Sequence, residues 1–359
     1  MPFLRYSFAP MSVIIGIVGM LANGVWVWSG LAMFFVLAFL DMALPEDWES
    51  SFPAHKGGVD WYVYFQFPLL LVMWSVIAVK LRQGAWGSWE ILGATLSAGY
   101  LSGFAALPAA HELVHRKTFF PQLWGKLTIG FLVPPHVLIS HTQCHHKNLC
   151  IPGDAETAVR GQNLYGYTAL MAVRRWQESF AVEKEHMQRL GKSVWSIHSP
   201  VVHGLLIWFS FWMIMTIVAG WTGLLVLVGA FLFGMSILSA MTFQEHYGLV
   251  RVPNSIVEMR HAWNNPYPLS RAFTFEIATH SDHHVDADIP FWQLRQKANT
   301  PIMPSIFLVI LASFLPPVFN RLIKPRLMEW DQTMASPDEK ILAMEANRKA
   351  GWPQWLSKS

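Results

Sequence analysis

The sequence predicts an all-α integral membrane protein of about six transmembrane helices, with a polar helical cap on one side. Three observations carry this. The 359 residues are 53% hydrophobic and 14% aromatic, with a mean hydropathy of +0.32, more apolar than a soluble domain of this length. Several apolar stretches approach the ~20 residues needed to cross a hydrocarbon core. The remaining charge gathers in two polar blocks that the parity of the spans puts on one face. A net charge of only +3, without a polybasic run, argues against a nucleic-acid partner.

Taken in order, residues 9–43 form one apolar block interrupted by Ala22-Asn23-Gly24, which reads as a hairpin of two helices. No good cleavage site follows its apolar run, so it reads as a retained membrane segment. Spans are expected at 61–79, 90–110, 203–219 and 222–245. Residues 303–320 are apolar but run into Pro316-Pro317, which suits a segment dipping into the interface better than one spanning it. The chain divides into a membrane domain, 1–324, and a polar cytoplasmic tail, 325–359, with one short amphipathic helix. The polar regions 111–200 and beyond 245 are separated by one excursion through the membrane, so they share a side. They hold 22 of the 26 Lys and Arg residues, whereas the loop near 80–90 holds Lys80 and Arg82. The positive-inside rule therefore places both regions, and the C-terminus, in the cytoplasm of a cell whose inner membrane holds the spans.

Histidine is concentrated at the cytoplasmic ends of these spans. "HELVH" carries His111 and His115, "HTQCHH" carries His141, His145 and His146, and "HSDHH" carries His280, His283 and His284. Imidazoles three or four residues apart lie on one helix face and can hold one ion. Left protonated they would repel each other, whereas a divalent metal makes their proximity favourable. "FQEHYGLVR" adds His246 where the last span ends. Eight or nine imidazoles exceed what one tetrahedral ion uses, so two metal ions are implied, and imidazole suits zinc, iron, copper and nickel. His55, His136, His186, His198 and His203 stand alone and read as interfacial hydrogen-bonding residues. Glu112, Glu245, Asp282 and Asp286 flank the clusters and are candidates to accept the rings' outer N–H groups. "HELVH" alone also fits the HExxH of zinc proteases, with Glu112 as general base. That reading leaves the other clusters unexplained, as does a metal transporter without turnover. Cys144 and Cys150, with five residues between them, fit no redox pair, c-type haem or iron–sulfur site, and no GxGxxG follows a strand-like segment. Bound haem, flavin and NAD are not expected.

These motifs together resemble the membrane-bound, histidine-rich di-iron oxygenases, which include fatty acid desaturases, alkane 1-monooxygenases and the xylene monooxygenase hydroxylase component. "HELVH", "HTQCHH", "EHYGLVR", "HAWN" at 261–264 and "HSDHH" occur in the order and approximate spacing of the hydrocarbon-hydroxylase branch, and "WDQTMASPDEKILAMEANRKAGWPQW" is similar to the tail of the xylene and cymene methyl hydroxylases. The resemblance implies nine ligands to two non-haem irons: His111, His115, His141, His145, His146, His246, His280, His283 and His284. His261 then becomes a near-site residue. It implies an O2-dependent monooxygenase acting on the terminal or benzylic methyl of a hydrocarbon dissolved in the bilayer. Electrons would come from rubredoxin or a ferredoxin-containing NADH reductase docking on the basic cytoplasmic face. The alkane enzymes usually carry Gly where this chain has Val114 and Cys144; "HSDHH" leans toward them, and the tail toward the arene-methyl enzymes. An acyl-lipid desaturase is the neighbouring alternative.

Overall fold

Glycine and proline positions decide where this apolar chain turns. The computed structural model describes residues 2–48 and 58–356; His55 lies outside them. Helix α1 (Phe8–Ala22) ends at Asn23 and Gly24, both at positive φ (63° and 57°), and the chain reverses into α2 (Ser29–Ala43). The expected N-terminal hairpin is therefore present. Asn23 Oδ1 accepts from Lys80 Nζ at 2.8 Å and Trp86 Nε1 at 3.0 Å. These bonds tie the first turn to the one between α3 (Asp60–Arg82) and α4 (Ser88–Tyr100).

A π-turn at Leu101–Ala105 carries α4 into α5 (Leu107–His115), making one apolar element of 28 residues. Helix α6 (Phe119–Ile129) packs back against α5, where a Cβ on Gly125 would lie 2.8 Å from the Ala110 carbonyl oxygen. Two short helices, α7 (Leu138–Ser140) and α8 (His146–Asn148), flank a second π-turn at His141–His145. Helix α9 (Leu164–Arg189) begins with the Asn163 side chain accepting from Gly166 N–H.

Helix α10 (Pro200–Glu245) is broken at Gly220, whose φ of 65° and ψ of −157° reverse the chain. Trp212 and Phe231 would be ~28 Å apart in one straight helix, yet their rings lie 6.1 Å apart. The segment is thus a hairpin, turning between 219 and 222 as its apolar pattern predicts. Its second arm crosses α4 at glycine contacts: a Cβ on Gly99 would lie 2.7 Å from the Ala230 oxygen, and one on Gly103 2.7 Å from the Gly234 oxygen. Small residues permit such close approach of helices in an apolar setting.

The remaining elements are α11 (Pro268–Phe273), α12 (His280–Val285), α13 (Ile306–Ser313), α14 (Pro316–Thr333) and α15 (Pro337–Lys349). Asp41 at the end of α2 is buried and accepts from the Leu269 and Ser270 N–H groups, at 2.7 and 3.2 Å, fixing the start of α11. Helix α13 has eight residues, ~12 Å of helix and too short to span. It packs inside the protein, with Phe307 against Phe34, Phe104 and Phe273. Helix α14 runs unbroken through residue 325, because Leu327 and Trp330 continue its buried face. The tail therefore contributes the end of α14 as well as α15.

Five helical segments among the described residues are long and apolar enough to cross a membrane: Leu4–Ala22, Gly24–Ala43, Asp60–Arg82, Ser88–His115 and Pro200–Glu245. Their outer faces leave large apolar side chains uncovered, such as Phe39, Ile217 and Trp221, each more than 70% exposed. An apolar surface of this kind belongs in lipid.

Candidate metal centre

The histidines meet at the inner ends of α5, α10 and α12. His111 and His115 stand one turn apart on α5, with ring centroids 4.8 Å apart. The π-turn after α7 carries His141 and His145, and His146 follows on α8. His246 closes α10 in a non-helical conformation, φ −133° and ψ 14°. The third cluster lies on α12, whose approach is unusual: Phe275 and Glu276 both have positive φ, 49° and 59°. Such backbone is held only when its surroundings enforce it. Here Glu276 accepts from Arg271 Nε at 2.7 Å, Arg5 Nε at 3.0 Å and the Tyr6 hydroxyl at 3.1 Å.

All nine predicted histidines come together, in two groups. His111, His115, His141, His146 and His283 form one; His145, His246, His280 and His284 form the other; within each group the ligating atoms lie within 4.8 Å of one another. The second and third clusters are therefore each divided between both groups. Facing Nε2 atoms are 2.7 Å apart for His111 and His141, 3.2 Å for His141 and His146, and 3.0 Å for His246 and His280 and for His280 and His284. Two imidazole nitrogens each ~2.1 Å from one ion stand ~3 Å apart, so this donor set fits a metal in each group. Buried Nε2 atoms of His115 and His283 have no hydrogen-bond partner and are available to the first group.

The outer nitrogens fix the tautomers. His141 Nδ1 donates to Glu156 at 3.1 Å, His145 Nδ1 to Asp154 at 2.9 Å, and His246 Nδ1 to the His261 carbonyl at 2.9 Å. Each turns Nε2 toward its histidine group, where the unprotonated nitrogen can bind a metal. Arg175 pairs with Glu156 at 3.4 Å; burial would raise this carboxyl, but Arg175 and the imidazoles of His145, His111 and His146 together outweigh it and hold Glu156 below its usual range. Burial, joined by neighbouring imidazoles, lowers His146 to about 2 and His280 to about 3, and drives His141, His246, His283 and His284 well below their ordinary value. His145 is opposite: burial lowers it, but Asp154 and Glu156 raise it to about 9.

Asp154 and Glu156 were absent from the carboxylates singled out by sequence. Of those four, Glu245 lies nearest a ring nitrogen, 3.8 Å from His280 Nε2. Glu112 instead pairs with Arg116 at 2.6 Å. Asp282 accepts from Arg295 N–H and Lys297 Nζ, both at 2.9 Å, and Asp286 from Asp288 N–H at 3.0 Å. Glu112, held by Arg116, belongs to neither histidine group, and the HExxH motif does not stand as a separate one-metal site, because His111 and His115 share their group with His141, His146 and His283. His261 belongs to neither group; its ring donates to Glu339 at 2.7 Å. Among the lone histidines, His136 packs on Trp176, His186 bonds Glu183 and His203 bonds the Ile197 carbonyl; neither they nor His198 join the groups.

A cavity of about 30 Å³ borders both groups, where Leu107, Leu138, Met241 and Ile277 meet the rings of His111, His141 and His280. It offers space for roughly one water-sized group. The arrangement can hold two metal ions beside a small chamber whose wall also carries Glu156, Arg175 and Glu245.

Residues 87–309 match the family model described as fatty acid desaturase. The chain is 33% identical to the xylene/toluene monooxygenase hydroxylase component of Pseudomonas putida, over 99% of this chain and 97% of that protein. It is 26% identical to alkane 1-monooxygenase 1 of Alcanivorax borkumensis, covering 89% and 83% of the two chains, and 26% identical to an alkane 1-monooxygenase of Pseudomonas putida, covering 90% and 84%.

Proposed function

Because the chain belongs to the fatty acid desaturase family, on its matched span and its full-length likeness to a hydrocarbon hydroxylase, we propose that it is a membrane-bound non-haem di-iron monooxygenase. It uses O2 and electrons from a separate redox protein to hydroxylate a methyl group of a hydrophobic hydrocarbon. The observation that carries this is the pairing of a five-histidine and a four-histidine group over one small chamber with apolar side chains on its wall. The relative at 33% identity is named for xylene and toluene, and those at 26% for alkanes; the arene methyl is therefore the first substrate class to test.

In this reading the nine histidines are the ligands, with Asp154, Glu156 and the His261 carbonyl holding three of them in the binding tautomer. Bound ferrous iron supplies the activation of O2. The protein's own residues do the rest: Leu107, Leu138, Met241 and Ile277 seat a methyl beside the rings and keep water out. The hairpins at Asn23 and Gly220 give six spans, with the centre and the tail, 325–359, on the cytoplasmic side of the inner membrane and 1–324 as the oxygenase domain. Exposed Lys147 and Arg295, close in sequence to His146 and His284, suit an acidic rubredoxin or ferredoxin-type donor.

The test is gas chromatography of cells expressing the chain with both donor types and fed octane and xylene side by side, against a His283→Ala control. Methylbenzyl alcohol is the expected product. Octanol alone would move the chain to the alkane class, and neither product from iron-loaded chain would overturn the hydroxylase reading.

A further inference from the structure

The tail reaches the metal centre through the turn that carries His261. Ser336 and Glu339 cap α15 reciprocally: Glu339 Oε2 accepts from Ser336 N–H at 2.8 Å, and the Ser336 hydroxyl accepts from Glu339 N–H at 3.3 Å. The other carboxylate oxygen, Oε1, accepts from His261 Nε2 at 2.7 Å. The position of that ring proton is set independently, because His261 Nδ1 accepts from Glu258 N–H at 2.9 Å. One residue thus carries a ring fixed at both nitrogens and a carbonyl that accepts from His246 Nδ1 at 2.9 Å. Both Glu339 and His261 are buried.

His246 needs this support. It lies just past the last helical residue of α10, and no helix fixes its direction as α12 fixes its three histidines. Its orientation depends on a carbonyl in the short turn Met259–His261. That turn is held by Glu339, which also accepts from Arg260 Nε at 2.9 Å, and by Trp330 Nε1, which donates to the Arg260 carbonyl at 2.7 Å; the His261 carbonyl accepts from Cys150 Sγ as well, at 3.1 Å. The tail end is anchored separately, by the doubly bonded pair of Arg160 and Asp331 and by Asn347, whose oxygen accepts from Arg160 at 2.8 Å.

We propose that Glu339 is a positioning residue for His246, acting through His261, so that the C-terminal tail is a working part of the four-histidine group. This rests on reading that group as a metal site. Loss of Glu339 releases the His261 ring, lets its carbonyl drift and loosens one metal while the other keeps its ligands and their supports.

The test is anaerobic titration of the metal-free, full-length chain in detergent with ferrous iron and, in parallel, cobalt(II), whose visible absorption reports ligand geometry. Wild type is expected to show two sites. Glu339→Ala should weaken one site by about 10–100-fold, change its cobalt spectrum and leave the other site unchanged. Glu339→Gln keeps an acceptor for His261 and should lose less, and it serves if the alanine variant fails to fold. Trp355→Phe removes the Trp355 bond to Asp331 but none of the relay, and should keep both affinities. Wild-type affinities in Glu339→Ala, or equal weakening of both sites by Glu339→Ala and Trp355→Phe, would overturn the proposal. Two strong sites in wild type with the expected loss in Glu339→Ala, but no alcohol product, would uphold the relay and fault the hydroxylase reading alone.

Discussion

The five-histidine and four-histidine groups are built from the same residue type, yet they are held differently. The first takes two ligands from a long apolar helix, and its His115 and His146 are only partly buried. The second is wholly buried, takes His246 from a helix end, and depends on Asp154 and on the distant tail. A metal bound to the first rests mainly on helix geometry, whereas one bound to the second rests on hydrogen bonds between segments far apart in sequence. Similar ligands can therefore differ in how easily their metal is lost.

The largest expected effect breaks the comparison outright. His141→Ala and His280→Ala each remove a ligand from one group; both should abolish alcohol formation, and each should lower iron content by one ion per chain. Turnover surviving in His280→Ala would mean that the first group works alone. Next comes Arg160→Ala, which leaves Asp331 buried without its partner. Breaking such a pair costs about 3–5 kcal/mol, so the thermal midpoint in detergent should fall clearly, with iron released from the four-histidine group first.

Smaller changes sharpen the difference. Asp154→Asn acts on His145 and Glu156→Gln on His141, so each should weaken a different site by about 10–100-fold in a cobalt titration. A graded effect is expected in pH. In the metal-free chain His145 is raised to about 9, so at neutral pH it carries a proton that a metal must displace. The affinity of the four-histidine site should fall by up to about tenfold per unit as pH drops from 9 toward 7. The rings of His141 and His146, already lowered, stay neutral over that range, and contribute no such slope to the five-histidine site. Equal slopes at the two sites would show that His145 does not carry that proton.

Much of this was legible in the sequence, and the limits have physical causes. Histidine spacing within a cluster is a local helical property, so the eight clustered residues could be read directly, whereas His246 stands alone in its motif and joins them only through the family resemblance. Their division into five and four could not, because it depends on two π-turns and on the angle at which α12 meets α5. The carboxylates nearest the clusters in sequence were chosen over Asp154 and Glu156, although "GDAET" follows the second cluster closely; an acidic pair in a segment that must return to the centre was the available signal. Glu112, Asp282 and Asp286 turn away to Arg116, to Arg295 with Lys297, and to Asp288. Contact between Glu339 and His261, 78 residues apart, has no local signature. The break at Gly220 and the hairpin at Asn23 were legible because glycine and asparagine accept the backbone conformations that a reversal needs.

The placement of Glu339 also sets an order of events during synthesis. Chains emerge from the ribosome N-terminal part first, so α5, the second cluster, His246 and α12 are all exposed before the carboxylate that steadies His261 exists. The five-histidine site can be completed while translation continues; the four-histidine site reaches full strength only once α15 is made. A nascent chain would thus pass through a stage with one finished iron site and one open one, and cellular iron delivery would have to contend with that interval.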